Sequence, residues 1–259
     1  MLDNTPYLRE LTEIASLLKI YRVYDENGLI SLRRLGKDND GGYVVPEKAL
    51  QIADVVMGYG IENDSSFEEA ACEIYGKRSY GFDGSVILDR FVHPLFHFTP
   101  IYLISDAEMK MKTLEKVPTK YSSFDEHLKI FHLQGKKIFV KMDIETYEYS
   151  TIPDILRYTP QITGLSFEMH FAGDQQIPHA LRLLQQLQKD YLLVNLHGNN
   201  IIRRFQAPNV RGEVPRLLEL TYINKNIITR FELSENQKHP TPIDMPSDAR
   251  FPDREFEIL

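Results

Sequence analysis

Acids and histidines end three of the apolar segments in the second half of the chain. An unpaired charge buried at the end of a strand costs several kcal/mol, so these groups are expected to have a ligand or a partner. Carboxylate with imidazole is a ligand set that suits Mg²⁺, Mn²⁺ or Fe²⁺, and a histidine without a metal can serve as a general base near neutral pH. The residues concerned are Asp143, Glu168, His170 and His197.

The segment FVKMDIETYEYS (139–150) carries further charged and aromatic residues around Asp143. Lys141 and Asp143 share one side of a strand by period-two alternation, so Lys141 either forms an ion pair that holds Asp143 or takes part in catalysis. Glu145 shares that side if the strand continues. Tyr147 either lines a sugar pocket or packs against its neighbours.

A glycine turn in the first half of the chain predicts a nucleotide-type ligand. In MGYGIENDSSFE (57–68), Gly58 and Gly60 let the backbone approach a ligand and lead into a helix whose N-terminus presents free N–H groups. Asp83 ends the next strand, where an acid can accept hydrogen bonds from both ribose hydroxyls. Glu62 stands where a third glycine would approach a pyrophosphate, so a phosphate ligand is disfavoured and a cationic ligand is tolerated.

Strands that alternate with helices must position these residues. This alternation predicts a mostly parallel, doubly wound α/β sheet, in which ligands bind beyond the carboxyl ends of the strands. The predicted strands span 53–60, 78–85, 101–106, 136–145, 162–171 and 191–200, and the predicted helices span 7–22, 65–76 and 178–190, with one more helix ending near residue 157. The residues named above therefore fall at one edge of the sheet, together with Asp106 at the end of the third strand.

The remaining segments complete one predicted domain over residues 1–259. Residues 1–35 form an N-terminal helical segment in this prediction. The β-rich runs 217–225 and 226–233 predict a closing antiparallel hairpin. The proline-rich tail, 234–259, is expected to be extended, and either packs over the domain or is disordered.

The composition excludes several classes of protein. A net charge of −7 and a pI near 5.7 argue against a protein that binds duplex nucleic acid. A single cysteine, Cys72, excludes an internal disulfide and indicates a reducing compartment. The N-terminus lacks the features of a signal peptide, and no apolar run approaches the roughly 18 residues of a membrane span. We therefore expect a soluble, cytoplasmic protein.

Several motifs resemble those of the FkbM-type, S-adenosylmethionine-dependent methyltransferases, in particular the branch that includes methyltransferase-like protein 24. The most specific are DNDGGYVVP (38–46) and KMDIETYE (141–148), and the resemblance extends from about Arg33 to PIDMPSD (242–248). Family members more often have glycine and alanine where this chain has Thr146 and Tyr147. The resemblance implies a seven-stranded class I methyltransferase fold, which is Rossmann-like, and a hydroxyl of a small molecule or glycan as the usual methyl acceptor.

The resemblance also implies roles for individual residues. Gly58 and Gly60 would line the methionine part of the cofactor, while Asp83 would hold the ribose. Asp106 would read the adenine amino group. The segment NDGGYVV implies that five residues cover the cofactor: Asn39, Asp40, Gly41, Gly42 and Tyr43. An ordinary tight turn is the alternative interpretation of the two adjacent glycines.

The function predicted on these grounds is methyl transfer from S-adenosylmethionine to a hydroxyl of a sugar or nucleotide-linked sugar, in the decoration of a polysaccharide. Asp143, His170 and His197 are the predicted catalytic residues. A divalent metal, Mg²⁺, Mn²⁺ or Fe²⁺, would be held by the same three residues and Glu168, and would lower the pKa of the hydroxyl.

Two other functions remain open at this stage. One is a metal-independent N- or O-methyltransferase of a small metabolite, with His170 or His197 as general base; the other is a noncatalytic nucleotide-binding protein. The basic run RRF (203–205), with Arg211 and Arg216, either pairs with the diphosphate of a nucleotide-sugar or forms a solvated face.

Overall fold

A seven-stranded sheet forms the centre of the protein, whose computed structural model describes residues 7–88, 93–115 and 120–259. The strands are β1 (Val55–Tyr59), β2 (Arg78–Phe82), β3 (Phe96–Thr99), β4 (Ile138–Met142), β5 (Ile162–His170), β6 (Tyr191–Gly198) and β7 (Leu217–Asn224). Their spatial order is β3-β2-β1-β4-β5-β7-β6. Neighbouring strands run parallel except for β7, which runs antiparallel to both β5 and β6.

Helices cover both faces of this sheet. They are α1 (Leu8–Leu17), α2 (Glu47–Ile52), α3 (Ser66–Tyr75), α4 (Asp106–Glu115), α5 (Phe124–Ile130), α6 (Glu148–Ile155) and α7 (Ile177–Asp190). Apolar residues of α1, α5, α6 and α7 join one core, and those of α2 and α3 join a second core on the opposite face. The middle strands are continuous apolar runs because both of their faces are buried; in β4, for example, Val140 faces the first core and Phe139 the second.

Short strands tie the outer segments together. Tyr21–Asp25 pairs with both Gly28–Leu29 and Arg230–Leu233. The other pairs are Leu32–Leu35 with Tyr43–Pro46, Tyr102–Leu103 with Tyr121–Ser122, Arg204–Phe205 with Val214–Pro215, and Phe256–Ile258 with both Val210–Gly212 and Lys238–His239. None of the helices within the described ranges is long and apolar enough to cross a membrane.

The predicted α/β architecture with a mostly parallel sheet is confirmed, whereas the predicted C-terminal hairpin is wrong. Its first run forms β7, in the interior of the central sheet. Its second run, Arg230–Leu233, instead pairs with Tyr21–Asp25 near the start of the chain. A short 3₁₀ turn, Lys225–Ile227, separates the two runs and leads the chain out of the central sheet.

Two other boundaries also differ from the prediction. The N-terminal helix ends at Leu17, and residues 21–35 are mostly extended strands instead of helix. The third strand of the sheet is Phe96–Thr99, not 101–106. Asp106 consequently begins α4, where its carboxylate forms an ion pair of 2.6 Å with Arg157.

The C-terminal tail packs on the domain, in agreement with one of its two predicted states. Its strands Lys238–His239 and Phe256–Ile258 join a three-stranded sheet, and the imidazole of His239 is buried. The Asn200 side chain holds the tail through hydrogen bonds to the backbone of Asp248 and Phe251.

Candidate functional site

A cavity of about 350 Å³ opens at the carboxyl ends of β1, β2 and β4. The sheet order reverses between β1 and β4, and open α/β sheets bind their ligands at such a switch point. Its polar lining consists of Gly60, Glu62, Asp83, Ser85, Asp143 and Glu145. Its volume lies within the range of small-molecule sites, roughly 300–1,000 Å³.

Gly60 is the point at which the turn after β1 meets the turn after β4. Its φ of 69° lies in the left-handed region, and a Cβ at this position would lie 1.5 Å from the carbonyl oxygen of Asp143. No residue with a side chain can occupy this position without moving the backbone. The sequence analysis predicted that Gly60 lets the backbone approach a ligand, whereas in the structure the glycine is required by its contact with the Asp143 carbonyl.

Asp83 lies at the end of β2 with 7% of its surface exposed, and it lines the cavity. Its Oδ2 accepts a hydrogen bond of 2.9 Å from the Glu62 N–H, while its Oδ1 accepts bonds from both the N–H and the hydroxyl of Ser85. A carboxylate offers about four acceptor positions, so about one remains for a ligand while the Ser85 hydroxyl keeps this orientation.

Apolar side chains line most of the rest of the cavity, and the sequence analysis had assigned most of them to strands. Phe82, Ile101, Leu103, Ile104 and Ile144 supply the aliphatic and aromatic wall, with Tyr102, Tyr121 and Tyr147. The rings of Tyr102 and Tyr121 stack with centroids 5.6 Å apart, and the Tyr102 ring fills the space where Gly84 lacks a side chain. The apolar pattern of residues 101–104 therefore reflects a cavity wall more than a sheet strand.

Three of the four predicted metal ligands come together beside the cavity. Ligand atoms of Asp143, Glu168 and His170 all lie within 4.8 Å of one another. They meet because Met142 and Phe167 are partners in the parallel register of β4 and β5, so the next residue of each strand is an acid at the same height. Asp143 also lines the cavity, which makes the cluster and the cavity neighbours.

Burial governs the charge of the two acids. It raises the pKa of Glu168 well above its ordinary value, and the negative charges of Asp143 and Glu219 act in the same direction. Burial also raises the pKa of Asp143, against the lowering effects of Lys141 and His170. A positive ligand among these groups would offset the cost of ionising both carboxyl groups.

His170 is oriented by Glu148, a residue that the sequence analysis did not single out. The Glu148 carboxylate is fully buried, accepts a hydrogen bond of 2.8 Å from the His170 N–H and lies 3.3 Å from Nδ1. Burial disfavours the imidazolium, but the contact with Glu148 and the charges of Glu148 and Asp143 together raise the pKa of His170. The motif KMDIETYE contained the signal, since Glu148 is its last residue.

His197 does not join the cluster, which corrects its assignment as a metal ligand and as a base. Its Nδ1 lies 3.1 Å from a carboxylate oxygen of Glu219, and its Nε2 lies 2.9 Å from one of Asp253. Burial opposes its charge, but these two acids raise the pKa of His197 to about 10. The sequence analysis treated β5 and β6 as neighbours, whereas β7 lies between them and places Glu219 between Glu168 and His197.

The segment that was predicted to cover the cofactor does not line the cavity. Its side-chain and backbone amides bond elsewhere: Asn39 Nδ2 donates to the carbonyl of Pro246, and the Asp40 N–H donates to that of Ser247. Gly41 faces Asp64, and Gly42 faces the carbonyl of Lys37.

The ring of Tyr43 is buried, and the ammonium of Lys141 lies 5.0 Å from its centroid. Residues 39–43 therefore connect the domain to its C-terminal tail.

Gly58 also lies behind the cavity wall. A Cβ at Gly58 would lie 1.8 Å from Oε1 of Glu68. The Glu68 carboxylate is fully buried, and neither of its oxygens has a hydrogen-bond partner among the described residues. Burial raises the pKa of Glu68 to about 7, against the lowering effect of Lys141. The ammonium of Lys141 donates a hydrogen bond of 3.1 Å to the carbonyl of Gly60. Lys141 thus supports the turn beside the cavity through the Gly60 carbonyl, and among the described residues it forms no ion pair with Asp143.

Asp106 lies outside the cavity: its carboxylate pairs with Arg157, and its N–H donates a hydrogen bond of 2.7 Å to the Asp154 carboxylate. The predicted position of Asp106 at the end of the third strand, which suggested a contact with adenine, was wrong, and Asp106 is not part of the candidate site.

Comparisons of the chain with models of known protein families and with curated proteins gave no match.

Proposed function

We propose that the protein is an S-adenosylmethionine-dependent methyltransferase that modifies a hydroxyl group of a sugar. One observation carries this proposal: the cavity at the switch point combines the tight turn at Gly60, an acid at Asp83 and an apolar wall, and it adjoins the cluster of Asp143, Glu168 and His170. The sequence motifs that resemble FkbM-type methyltransferases contribute most of these polar residues.

The sheet order supports the proposal. The series β3-β2-β1-β4-β5-β6 is that of dinucleotide-binding doubly wound sheets, and here the antiparallel β7 is inserted before the last strand. A seventh strand is what the resemblance to class I methyltransferases implies. Folds of this kind host many functions, so the chemistry of the site has to carry the argument.

The residues present fit the cofactor. The backbone of Gly60 lines the cavity where the amino-acid end of S-adenosylmethionine would lie, the free acceptor position of Asp83 suits a ribose hydroxyl, and the wall of Ile101 and Leu103 suits the adenine. When bound, the cofactor supplies an electrophilic methyl group on a sulfonium. The acidic edge formed by Glu62, Asp143 and Glu145 favours such a positively charged ligand and disfavours a phosphate.

A divalent cation fits the cluster beside the cavity. Asp143, Glu168 and His170 would hold it, and when bound it supplies a Lewis acid that lowers the pKa of a hydroxyl. Lys141 and Glu148 then serve as supports, since the first holds the Gly60 carbonyl and the second holds the His170 ring. The chain's own part in the reaction is to align acceptor and cofactor and to exclude water.

An acceptor without phosphate agrees best with the charges. Three of the four arginines in the basic cluster that could bind a diphosphate are already paired: Arg204 with Glu213, Arg211 with Glu257 and Arg216 with Asp174. A free sugar hydroxyl is therefore favoured over a nucleotide-linked sugar as the acceptor.

Asp83→Asn should weaken binding of S-adenosylhomocysteine at least tenfold. The substitution removes a charge-assisted hydrogen bond to the ribose, which contributes about 1.5–3 kcal/mol, and about 1.4 kcal/mol corresponds to a factor of ten. Calorimetric titration measures the affinity. Asp106→Asn is the matched control, since it removes an acid outside the cavity. Equal affinities for the wild type and Asp83→Asn would contradict the proposed cofactor site.

Turnover should depend on a divalent cation. Chelation is expected to abolish the formation of S-adenosylhomocysteine from a panel of free and nucleotide-linked sugars, and Mg²⁺, Mn²⁺ or anaerobic Fe²⁺ should restore it. Binding of S-adenosylhomocysteine should survive chelation, because the cavity residues that hold it are separate from Glu168 and His170. Full activity in protein shown by elemental analysis to be metal-free would instead leave His170 as a general base.

A further inference from the structure

Three carboxylates surround one nitrogen of His170 at similar distances. Nε2 lies 3.7 Å from Oδ1 of Asp143, 3.5 Å from Oε2 of Glu145 and 3.7 Å from Oε2 of Glu168. Hydrogen bonds between nitrogen and oxygen usually measure about 2.7–3.2 Å. The three carboxylates therefore lie beside Nε2 without a hydrogen bond to it. The ligand atoms of Asp143, Glu168 and His170 also lie within 4.8 Å of one another, whereas Glu145 adjoins this group through its contact with His170.

The same distances suit ligands of one cation. Two adjacent ligands of an octahedral ion with bonds of about 2.1 Å lie about 3 Å apart. The observed separations exceed that value by less than an ångström, which small side-chain rotations can close. A cation held by Asp143, Glu168 and His170 would turn contacts that are too long for hydrogen bonds into bonds to the metal, and a rotation of the exposed Glu145 side chain would bring its carboxylate to the same ion.

Two of the groups are prepared for such a ligand. Glu148 occupies the Nδ1 side of the His170 ring, which leaves Nε2 directed at the three carboxylates. Metal-binding histidines commonly have a carboxylate in this outer position. The Glu168 side chain is 6% exposed and accepts no hydrogen bond from any residue in the described part of the chain. A buried carboxylate without a hydrogen bond is costly, and a cation would satisfy it.

Glu145 approaches from the cavity side. Its side chain is 81% exposed, and the residue lines the cavity. A turn in which Glu145 has a φ of 51° and Thr146 a φ of 76° brings its carboxylate back towards His170. Left-handed backbone at a β-branched residue such as Thr146 is unfavourable, and strain of this kind is concentrated at ligand sites.

We propose that Glu145 is a fourth ligand of a divalent cation and holds it on the side that faces the cavity, completing a set of three carboxylates and one imidazole: Asp143, Glu145, Glu168 and His170. This inference extends the cation site of the proposed function, for which the sequence supplied only the other three. Oxygen-rich sets with one imidazole suit Mn²⁺, Mg²⁺ or Fe²⁺ better than soft thiophilic metals. Four protein ligands leave two positions of an octahedral ion for water or an acceptor.

Manganese binding tests this assignment without any need for activity. The full chain, freed of metal by chelation and dialysis, is titrated with Mn²⁺ while electron paramagnetic resonance reports the free ion. We expect one site per chain in the wild type, and an affinity at least about tenfold weaker in Glu145→Gln. Glu62→Gln is the matched control, since it removes the same charge from the same cavity outside the cluster; its affinity should stay within about twofold of the wild type.

Other results would overturn the proposal. Equal weakening by Glu145→Gln and Glu62→Gln would show an effect of net charge and remove Glu145 from the ligand set. Retention of the site in Glu168→Gln, or no stoichiometric Mn²⁺ binding by the wild type, would remove the cluster as a cation site. Calorimetry of S-adenosylhomocysteine with the metal-free protein distinguishes these results from failure of the proposed function, because the cofactor cavity does not include Glu168 or His170.

Discussion

Gly60→Ala is expected to lower the free energy of unfolding by at least about 2 kcal/mol more than Gly76→Ala does, and to abolish binding of S-adenosylhomocysteine. The new Cβ would lie 1.5 Å from the carbonyl oxygen of Asp143, so the turns after β1 and β4 must separate. Forcing an extra methyl group into a packed site typically costs about 1–3 kcal/mol. Urea denaturation measures the stability, and calorimetry measures the binding.

Gly76 provides the control because it isolates the effect of backbone conformation. Its φ of 63° resembles that of Gly60, but a Cβ there would have no neighbour within 4 Å. Gly76→Ala therefore incurs only the left-handed penalty, about 1–2 kcal/mol. Similar losses of stability in the two variants, with cofactor binding retained, would mean that the contact with Asp143 does not constrain the site.

His197→Gln is expected to destabilise the protein by on the order of 3 kcal/mol at pH 6, and by progressively less as the pH approaches 10. The imidazolium lies between the buried carboxylate of Glu219 and the partly buried carboxylate of Asp253, and removing one member of a buried ionic group is strongly unfavourable. Its pKa is about 10 in the folded protein and near 6.5 in an unfolded chain. Because folding raises this pKa, the stabilisation is fully present below about pH 6.5 and is lost between there and pH 10.

The measurement is the difference in unfolding free energy between wild type and His197→Gln in urea at pH 6, 8 and 10. Using the difference cancels the titration of groups that the two proteins share. His179→Gln, at an exposed position of α7, should cost less than about 0.5 kcal/mol at each pH. A constant difference between His197→Gln and wild type over this range would show that His197 is not held as a cation.

The sequence predicted correctly which edge of the sheet carries the polar residues of the site wherever the end of a single strand was enough to place the residue. Asp83 follows β2. Asp143 and Glu168 come directly after Met142 and Phe167, which are partners in the register of β4 and β5. Parallel strands end at the same edge, so the position of an acid within its own segment was sufficient to predict its neighbourhood.

The predictions were wrong where an apolar pattern could indicate either a strand or a cavity wall, and where strands that are far apart in sequence pair with each other. Ile101 and Leu103 are apolar because they face a cavity, yet in sequence they resemble a strand; the true third strand, Phe96–Thr99, is short and only partly buried. His197 was placed beside Glu168 because nothing in the sequence near either residue indicates that β7 lies between their strands. Glu145 is drawn back to His170 by two consecutive left-handed residues, which no pattern of non-glycine residues predicts.

The interior position of β7 has a consequence for the order in which the chain can assemble during its synthesis. β5 and β6 leave the ribosome well before β7, and each has an edge that only β7 satisfies. Until residues 217–224 emerge, the nascent chain exposes two apolar strand edges of the kind that template aggregation. The strand Tyr21–Asp25 likewise pairs with Arg230–Leu233 only after those later residues have emerged. The growing polypeptide therefore completes its central sheet only after residues 217–224 have emerged.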